Sequence, residues 1–304
     1  MAIKVWTAGG SPSNDYSVAG NWSPSGVPVN ADDVRIDGGV SNGDIAAGLA
    51  QSSVLLASFR VTDNYTGKIG TATAYLQLGG GPTTDIGVPS GRTPANGSQR
   101  IKIDFVSTNV TVNVYSTSSN TADTGLEPVR LQVEHSSSEV NVFDGTVGFG
   151  TTEETEAINI GTLNVNGGVC NVSAAATLAT VNIQGGETTN RGADFTTLNQ
   201  TGGIFTLLGD ATLTTANVDD GTFFWWSDGT ITTLNLAGII DTNSDPRAKV
   251  ITTANVYGSA IVNANTGAPL SVTFTNGIDL VRTGLDRGPT LNLGSNYSVA
   301  LSAI

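Results

Sequence analysis

Clustered carboxylates are the residues of this chain that come nearest to a catalytic pattern. Two groups qualify by spacing: Glu153, Glu154 and Glu156 in an acidic segment, and Asp219 and Asp220 ahead of an aromatic run. Glycosidases use two carboxyl groups about 5 to 9 Å apart, and Trp225 or Trp226 offers a platform for a sugar ring. A glycan-cleaving enzyme is therefore one interpretation. Against it, no Lys or Arg lies nearby, and Asp-Asp-Gly is also an ordinary turn sequence.

The other nucleophiles, bases and metal ligands form no recognisable catalytic pattern. The chain has one histidine, His135, and one cysteine, Cys170. A Ser-His-Asp set, a zinc site and an internal disulfide are therefore all excluded. The run Gly79 to Gly81 lacks the Lys-Ser/Thr pair of a phosphate-binding loop. We expect no catalytic residue, no metal and no cofactor, and we interpret Cys170 as a small buried side chain.

A run of four aromatic residues, Phe223 to Trp226, predicts a contact surface. Side chains alternate in a strand, so Phe223 and Trp225 face one way while Phe224 and Trp226 face the other. A coil has one interior, so one pair must point outward. Exposed paired aromatics usually mark an interface. We expect an oligomer or protein contact here, with a sugar platform or cover by a neighbouring loop as alternatives.

A repeat between Ile158 and Ala268 is the element that positions these residues. One asparagine recurs in it at intervals of 17 to 20 residues, as Asn164, Asn182, Asn199, Asn217, Asn235 and Asn255. Apolar or Thr/Ala residues flank each asparagine in a period of two, and a glycine-containing turn follows. About 18 residues are too few for a helical repeat and fit a coil of short strands.

The repeat therefore predicts an all-β protein, a parallel β-helix with rungs of about 18 residues. The recurring asparagine is expected at one corner or in an interior ladder, where each amide bonds to the amides above and below. A row of ligand-binding asparagines is the alternative.

The chain divides into four predicted segments: an N-terminal cap or attachment segment, 1–40; irregular rungs with long loops, 41–157; the regular β-helix, 158–268; and terminal rungs or a small C-terminal β cap, 269–304. Within the second segment, the stretch from Gly79 to Gln99 is rich in Pro, Gly, Thr and Ser. We interpret it as a long loop between rungs, where function tends to concentrate. A second polar insertion runs from Ser116 to Pro128.

The N-terminal segment concentrates aromatic residues among turn residues. Trp6, Tyr16 and Trp22 predict a compact aromatic cap, which the end of a solenoid needs. Because aromatic and Arg side chains are common interface anchors, we predict that these three residues, together with Arg92 and Arg100 beside the long loop, bind a partner. In the alternative, the aromatics only plug the first rung.

The same segment carries the most specific local motif of the chain. It contains Asn21-Trp22, then Gly26-Val27-Pro28, then Asp32-Asp33-Val34. This pattern resembles the N-terminal part of β-helical surface proteins and of virion proteins of tailed phages and prophages. The resemblance covers about 35 residues. It implies a β-helix and a virion or surface location, and it implies no chemistry.

Charge is distributed unevenly along the chain. The net charge is −13, and residues 131–246 hold 14 acidic groups and a single basic one, Arg191. So acidic a middle excludes nucleic acid as the partner. The N-terminal sequence has no apolar core of a signal peptide, and no apolar run is long enough to span a bilayer. We expect a chain that folds in the cytoplasm of its host and ends in a virion.

Together these features predict a non-enzymatic structural protein of a phage virion. The expected role is a capsid decoration or cement protein, a homotrimer that binds the major capsid protein or other virion proteins. The alternative is a receptor-binding tail fibre or tailspike that holds, and in some cases cleaves, host polysaccharide. A bacterial surface adhesin is a third possibility, weakened by the missing signal peptide.

Overall fold

The protein is built almost entirely of β-strands. The computed structural model describes residues 1–81, 83–91, 97–106, 108–150, 158–242, 245, 247, 249–257, 260–264, 272–274, 278–281 and 290–293. Strands make up 55% of the chain and helix 1%, and the strands form a long, mostly parallel sheet. The predicted all-β class is confirmed. No helix among the described residues has the length and hydropathy needed to cross a membrane.

The chain forms two compact units, Met1–Ala179 and Thr180–Ile304. The first unit holds a short 3-10 helix, Ala19–Asn21, and these strands: β1 Ile3–Trp6, β2 Trp22–Ser23, β3 Asp33–Ile36, β4 Ala50–Leu55, β5 Ser58–Thr62, β6 Leu76–Gly80, β7 Thr83–Val88, β8 Ile101–Phe105, β9 Thr111–Val114, β10 Val129–Val133, β11 Glu139–Val142, β12 Thr146–Phe149, β13 Ile158–Val165 and β14 Val169–Val172. Strand β15, Ala176–Ile183, runs across the division.

Strands of the first unit pair with the strand two positions further along the chain. One parallel row runs β1, β3, β5, β7, β9, β11, β13, and the other runs β4, β6, β8, β10, β12, β14. Strand β1 also pairs antiparallel with β2. Parallel neighbours need a crossover, and from β3 onward each crossover contains a strand of the other row. The chain therefore visits the two rows in turn.

The second unit contains β16 Glu187–Asn190, β17 Asp194–Gly209, β18 Leu213–Ser227, β19 Thr230–Leu236, β20 Ile239–Asp241, β21 Lys249–Tyr257, β22 Ile261–Ala264, β23 Val272–Phe274, β24 Ile278–Val281 and β25 Thr290–Leu293. The first halves of β17 and β18 pair with each other, and this row extends through β19 to β21. The second halves also pair with each other, and that row extends through β20 to β22. Strands β17 and β18 are long because each runs through both rows.

Burial alternates along many of these strands, as a period of two requires, whereas β8 and β10 are buried along their whole length. In β11, Val140 and Val142 are buried while Asn141 between them is half-buried. In the second unit the inward residues include a ladder of aromatic rings. Phe195 lies 5.7 Å from Phe205, and Phe205 lies 5.5 Å from Phe223, between ring centroids. One face of each strand therefore packs into an apolar core.

The recurring asparagines form amide ladders on the opposite face. In the second unit, each Nδ2 donates to the Oδ1 of the preceding asparagine at 2.7 to 2.8 Å, over Asn182, Asn199, Asn217, Asn235 and Asn255. In the first unit, a ladder runs from Asn164 through Asn141 and Asn113 to the carboxylate of Asp85. The predicted amide-to-amide bonding is confirmed. The asparagines are half-buried and lie opposite the core, so the interior alternative is wrong, while the corner position stays a prediction.

The predicted long loop from Gly79 to Gln99 is also wrong in part, because it contains a strand. Strand β7 pairs in parallel with both β5 and β9. Gly87 has a positive φ of 69°, and the β5–β7 register shifts beside it. Glycine and threonine around this irregularity resemble a loop in sequence, yet the stretch belongs to the sheet.

Candidate functional site

The predicted N-terminal anchors are not available to a partner. Trp6 and Tyr16 are 0% exposed and Trp22 is 2% exposed. Both tryptophan rings meet their neighbours edge to face, Trp22 lying 5.0 Å from Trp6 and 4.8 Å from Tyr16. Trp6 Nε1 donates to the carbonyl of Gly43 at 2.9 Å. The prediction that these aromatics bind a partner is wrong, because they pack against one another and against the first rungs.

The predicted arginine anchors do not form a free basic patch either. Arg100 bonds to Asp123, with its Nε 2.9 Å from Oδ2, and only 15% of its side chain is exposed. The buried guanidinium of Arg130 also forms a salt bridge with Asp123. Hydrogen bonding from Arg100, aided by the charges of both arginines, lowers the pKa of Asp123 against the opposing effect of burial. Arg92 lies outside the described residues.

The candidate catalytic carboxylates do not form a site in the part of the chain that the structure describes. Asp219 and Asp220 are exposed, and Asp220 Oδ1 accepts the main-chain N–H of Gly221 at 2.7 Å, which is a turn contact. Residues Glu153, Glu154 and Glu156 lie outside that part. Within it, His, Cys, Asp and Glu do not gather in groups of three or more that could hold a metal ion. Cys170 is buried, and burial raises the pKa of its thiol.

The aromatic run in β18 splits between core and surface. Phe223 and Trp225 are fully buried, so these two of the four candidate interface residues belong to the core. Phe224 and Trp226 point the other way and remain partly exposed. Their ring centroids lie 5.3 Å apart with a tilt of 46°. One pair inward and one outward is the arrangement that the period of two predicts.

Phe224 and Trp226 belong to a larger apolar surface, which we call the outer apolar face. Strand register brings partly exposed apolar side chains from four neighbouring strands side by side, with Ile239 paired to Ile261 and Leu208 paired to Trp226. The members of the face are Ile204, Leu208, Phe224, Trp226, Ile239 and Ile261. Polar residues interrupt these rows: Thr206, Thr222, the acidic Asp241 and its partner Asn263. The acidic Glu187 pairs with Ile204 at the edge of the face. Partly exposed aromatic and aliphatic side chains grouped in this way are typical of contact surfaces.

The same two long strands carry a polar outward surface in their first halves. There the asparagine ladder runs beside a row of threonines in register: Thr197, Thr215, Thr233 and Thr253. Hydroxyl and amide groups on this surface can bond to water. The outward side chains of β17 and β18 therefore change from polar to apolar within one strand, which sets the outer apolar face apart as a separate surface.

Arg247 fixes the end of the outer apolar face. Its guanidinium donates to the main-chain carbonyl of Gly209 at 2.8 Å and to that of Trp226. Its Nε also pairs with Asp245 at 2.8 Å. One side chain thus ties together the last residues of β17 and β18. The position of the Trp226 backbone is set before any partner arrives.

A cavity in the first unit was not predicted as a whole. It has a volume of about 340 Å³ and is lined by Tyr115, Asp63 and several hydroxyl side chains. Its walls come from both polar stretches that the sequence singled out: Gly97 and Ser98 from one, Ser116 to Ser119 from the other. The signal that could have found it is Tyr115, an aromatic residue placed where strand β9 enters a run of hydroxyl residues. Proximity of the two stretches depends on strand register, which the sequence does not show.

Comparison of the chain with protein-family models, with curated proteins and with solved structures found no match.

Proposed function

We propose that the chain is a non-enzymatic structural protein, a parallel β-helix whose outer apolar face holds copies of it together in an oligomer that decorates and stabilises a virion. The closed coil is supported by the two alternating rows of parallel strands. Ladder spacings of 17, 18, 18 and 20 residues support rungs of about 18 residues in the second unit. Spacings of 28, 28 and 23 residues support longer rungs in the first.

The observation that carries the proposal is the outer apolar face. Its two aromatic side chains belong to the residue types enriched at protein interfaces. No Lys or Arg stands in its rows among the described residues; their carboxylates are Asp241 within the face and Glu187 at its edge. A surface with so little charge loses little by desolvation when it is covered by protein.

A second copy of the chain is the occupant that this face fits best. The rows of side chains in the outer apolar face run from strand to strand. A second copy that lies parallel to the first can therefore place its apolar rows against those of the first copy. Copies placed around a three-fold axis parallel to those rows each contribute the same face. We therefore propose a homotrimer as the simplest assembly, with cyclic symmetry closing the contact.

The virion location rests on the N-terminal motif, whose pattern resembles that of phage virion proteins. The asparagine ladders add support, because stacked and hydrogen-bonded rungs give the rigid scaffold that a decoration protein needs. Major capsid protein or another virion protein is the partner that this role implies.

Sedimentation velocity at micromolar concentration tests the assembly. We expect the natural protein to sediment as an oligomer and the double variant Phe224→Ser/Trp226→Ser as a monomer with an unchanged circular dichroism spectrum. The matched control is Thr215→Ser/Thr233→Ser, which changes the polar outward surface of the same unit and should remain oligomeric. A monomeric natural protein would reject the trimer.

Antibody-labelled electron microscopy of purified phage particles from the source culture tests the location. We expect label at regular positions on the capsid. Label on tails alone would favour a receptor-binding fibre, and unlabelled particles from a culture that expresses the protein would reject the virion role.

A further inference from the structure

The cavity in the first unit has the composition of a binding site for an uncharged polyol. It is formed at the end of strands β5, β7 and β9, and its volume of about 340 Å³ is typical of small-molecule sites. Hydroxyl groups, one carboxylate and one aromatic ring line it, among them Asp63, Tyr115 and Ser116 to Ser119, and none of its described lining residues is Lys, Arg or His. We call it the Tyr115 cavity.

The hydroxyl wall of the Tyr115 cavity is held in place by the sheet. Ser116 Oγ donates to the carbonyl of Gly87 at 3.0 Å. Thr117 Oγ1 accepts the main-chain N–H of Thr146 at 2.7 Å. A Cβ on Gly87 would lie 2.0 Å from the Ser116 carbonyl oxygen, so this close approach requires glycine. Polar groups that are already ordered cost little entropy when a ligand binds them.

Asp63 supplies the one carboxylate among the described lining residues. Its Oδ1 accepts the main-chain N–H of Ser90 at 3.0 Å, which fixes the orientation of the group. No residue in the described part of the chain donates to its Oδ2. A half-buried carboxylate oxygen is a strong acceptor for ligand hydroxyl groups. The same charge disfavours phosphates and other anions, since none of the described lining residues is a cation.

Tyr115 supplies an aromatic surface that continues beyond the cavity. Its ring stacks on Phe143, with centroids 5.1 Å apart and planes 7° from parallel. Phe143 is 43% exposed, although it follows a buried strand residue, Val142. Tyr115 offers both an apolar ring and a hydroxyl group. The pair therefore forms a platform that leads from the cavity to open solvent.

We propose that the Tyr115 cavity binds one neutral sugar unit of a glycan chain, with the next unit lying over Phe143. The C–H face of a pyranose ring packs on an aromatic ring, and its hydroxyl groups donate to Asp63 Oδ2 and bond to the Ser116–Ser119 wall. A neutral sugar combines one apolar face with several neighbouring hydroxyl donors, which matches the lining of the cavity. This site lies in the first unit and does not depend on oligomer assembly through the second.

Isothermal titration with the full-length protein tests the site. The probes are maltohexaose, cellohexaose, mannohexaose and chitohexaose as neutral chains, and hexagalacturonate as an anionic chain, each up to millimolar concentration. We expect at least one neutral chain to bind. Tyr115→Ala and Asp63→Asn should each weaken that binding about tenfold or more, the loss expected when a charge-assisted hydrogen bond or a stacking surface is removed.

Matched variants separate binding from folding. Asp63→Asn has nearly the shape of the natural residue, and Tyr257→Ala makes the same change as Tyr115→Ala at a partly exposed position of the other unit. The Tyr257 variant should bind as the natural protein does. The proposal is overturned if no neutral chain binds, if hexagalacturonate binds more tightly than all neutral chains, or if neither cavity variant weakens binding.

Discussion

At the scale of single residues, the asparagine ladder has a direction. Asn217 donates to Asn199 and accepts from Asn235, whereas Asp85 at the start of the first-unit ladder only accepts. We therefore expect Asn217→Asp to lower the urea-unfolding free energy by about 2 kcal/mol, because it loses a donor and sets two oxygens against each other. Asp85→Asn keeps its acceptor and should change stability by less than about 0.5 kcal/mol.

Acid should partly reverse the effect of Asn217→Asp, since a protonated carboxyl group can donate to Asn199 again. Equal losses for Asn217→Asp and Asp85→Asn, measured by urea unfolding at pH 7, would show that ladder direction does not matter.

Asp123 gives a pH-dependent stability to the first unit. Hydrogen bonding from Arg100 and the charges of Arg100 and Arg130 hold the pKa of Asp123 below its ordinary value. A carboxyl group with a lowered folded pKa stabilises the fold above its unfolded pKa, about 3.9. That contribution is lost as the pH falls through the folded pKa. Asp123→Asn should lower the unfolding free energy at neutral pH by about 3 kcal/mol, because it leaves the buried Arg130 without its carboxylate.

The difference in unfolding free energy between the natural protein and Asp123→Asn should stay constant from pH 7 to about pH 5 and shrink below about pH 4. Asp210→Asn removes one exposed carboxylate of the other unit and should show no such difference. A gap that widens on acidification would mean that Asp123 does not stabilise the fold through its charge.

At the scale of elements, stacked turns restrict side-chain size between rungs. Gly221 has a φ of 84°, and a Cβ there would lie 2.5 Å from the carbonyl oxygen of Gly203 in the preceding turn. We expect Gly221→Ala to lower the urea-unfolding free energy by more than about 2 kcal/mol, through the unfavourable φ and the backbone contact together.

Gly125 is the matched control position for Gly221, because it has a φ of 75° and nothing lies within 4 Å of an added Cβ. Gly125→Ala carries the conformational cost alone, about 1 kcal/mol. If both alanine variants lose the same stability, contact between turns plays no part.

Elements were predictable where the sequence repeats. A period of two around each asparagine identified strands, and in-register pairing of identical residues is a property of parallel stacks. Burial of Trp6 was not predictable, because it depends on a hydrogen bond to Gly43, 37 residues away. Strand β7 was missed because its irregular register requires Gly87, and the sequence around that glycine has the composition of a loop.

Only the centre of the outer apolar face could be predicted from the sequence. Alternation along β18 indicated that one aromatic pair points outward, either Phe223 with Trp225 or Phe224 with Trp226. Ile239 and Ile261 join the outer apolar face through pairing between strands. No local pattern reveals that pairing when the spacing between rungs varies.

At the scale of the whole molecule, charge and apolar surface oppose each other in assembly. Each chain carries a net charge of −13, so copies repel one another, while the outer apolar face draws them together. Raising the salt concentration from 0.1 M to 1 M shortens the Debye length from about 10 Å to about 3 Å. Salt therefore removes the repulsion and leaves the apolar contact in place.

We accordingly expect the association constant of the oligomer, measured by sedimentation equilibrium, to rise several-fold between 0.1 M and 1 M sodium chloride. Phe224→Ser/Trp226→Ser should stay monomeric at both concentrations, because screening cannot replace the lost apolar contact. Association that weakens with salt would require ion pairs between copies. It would move the contact from the outer apolar face to a surface that carries basic residues, such as Arg35 and Arg60, which are exposed in the first unit.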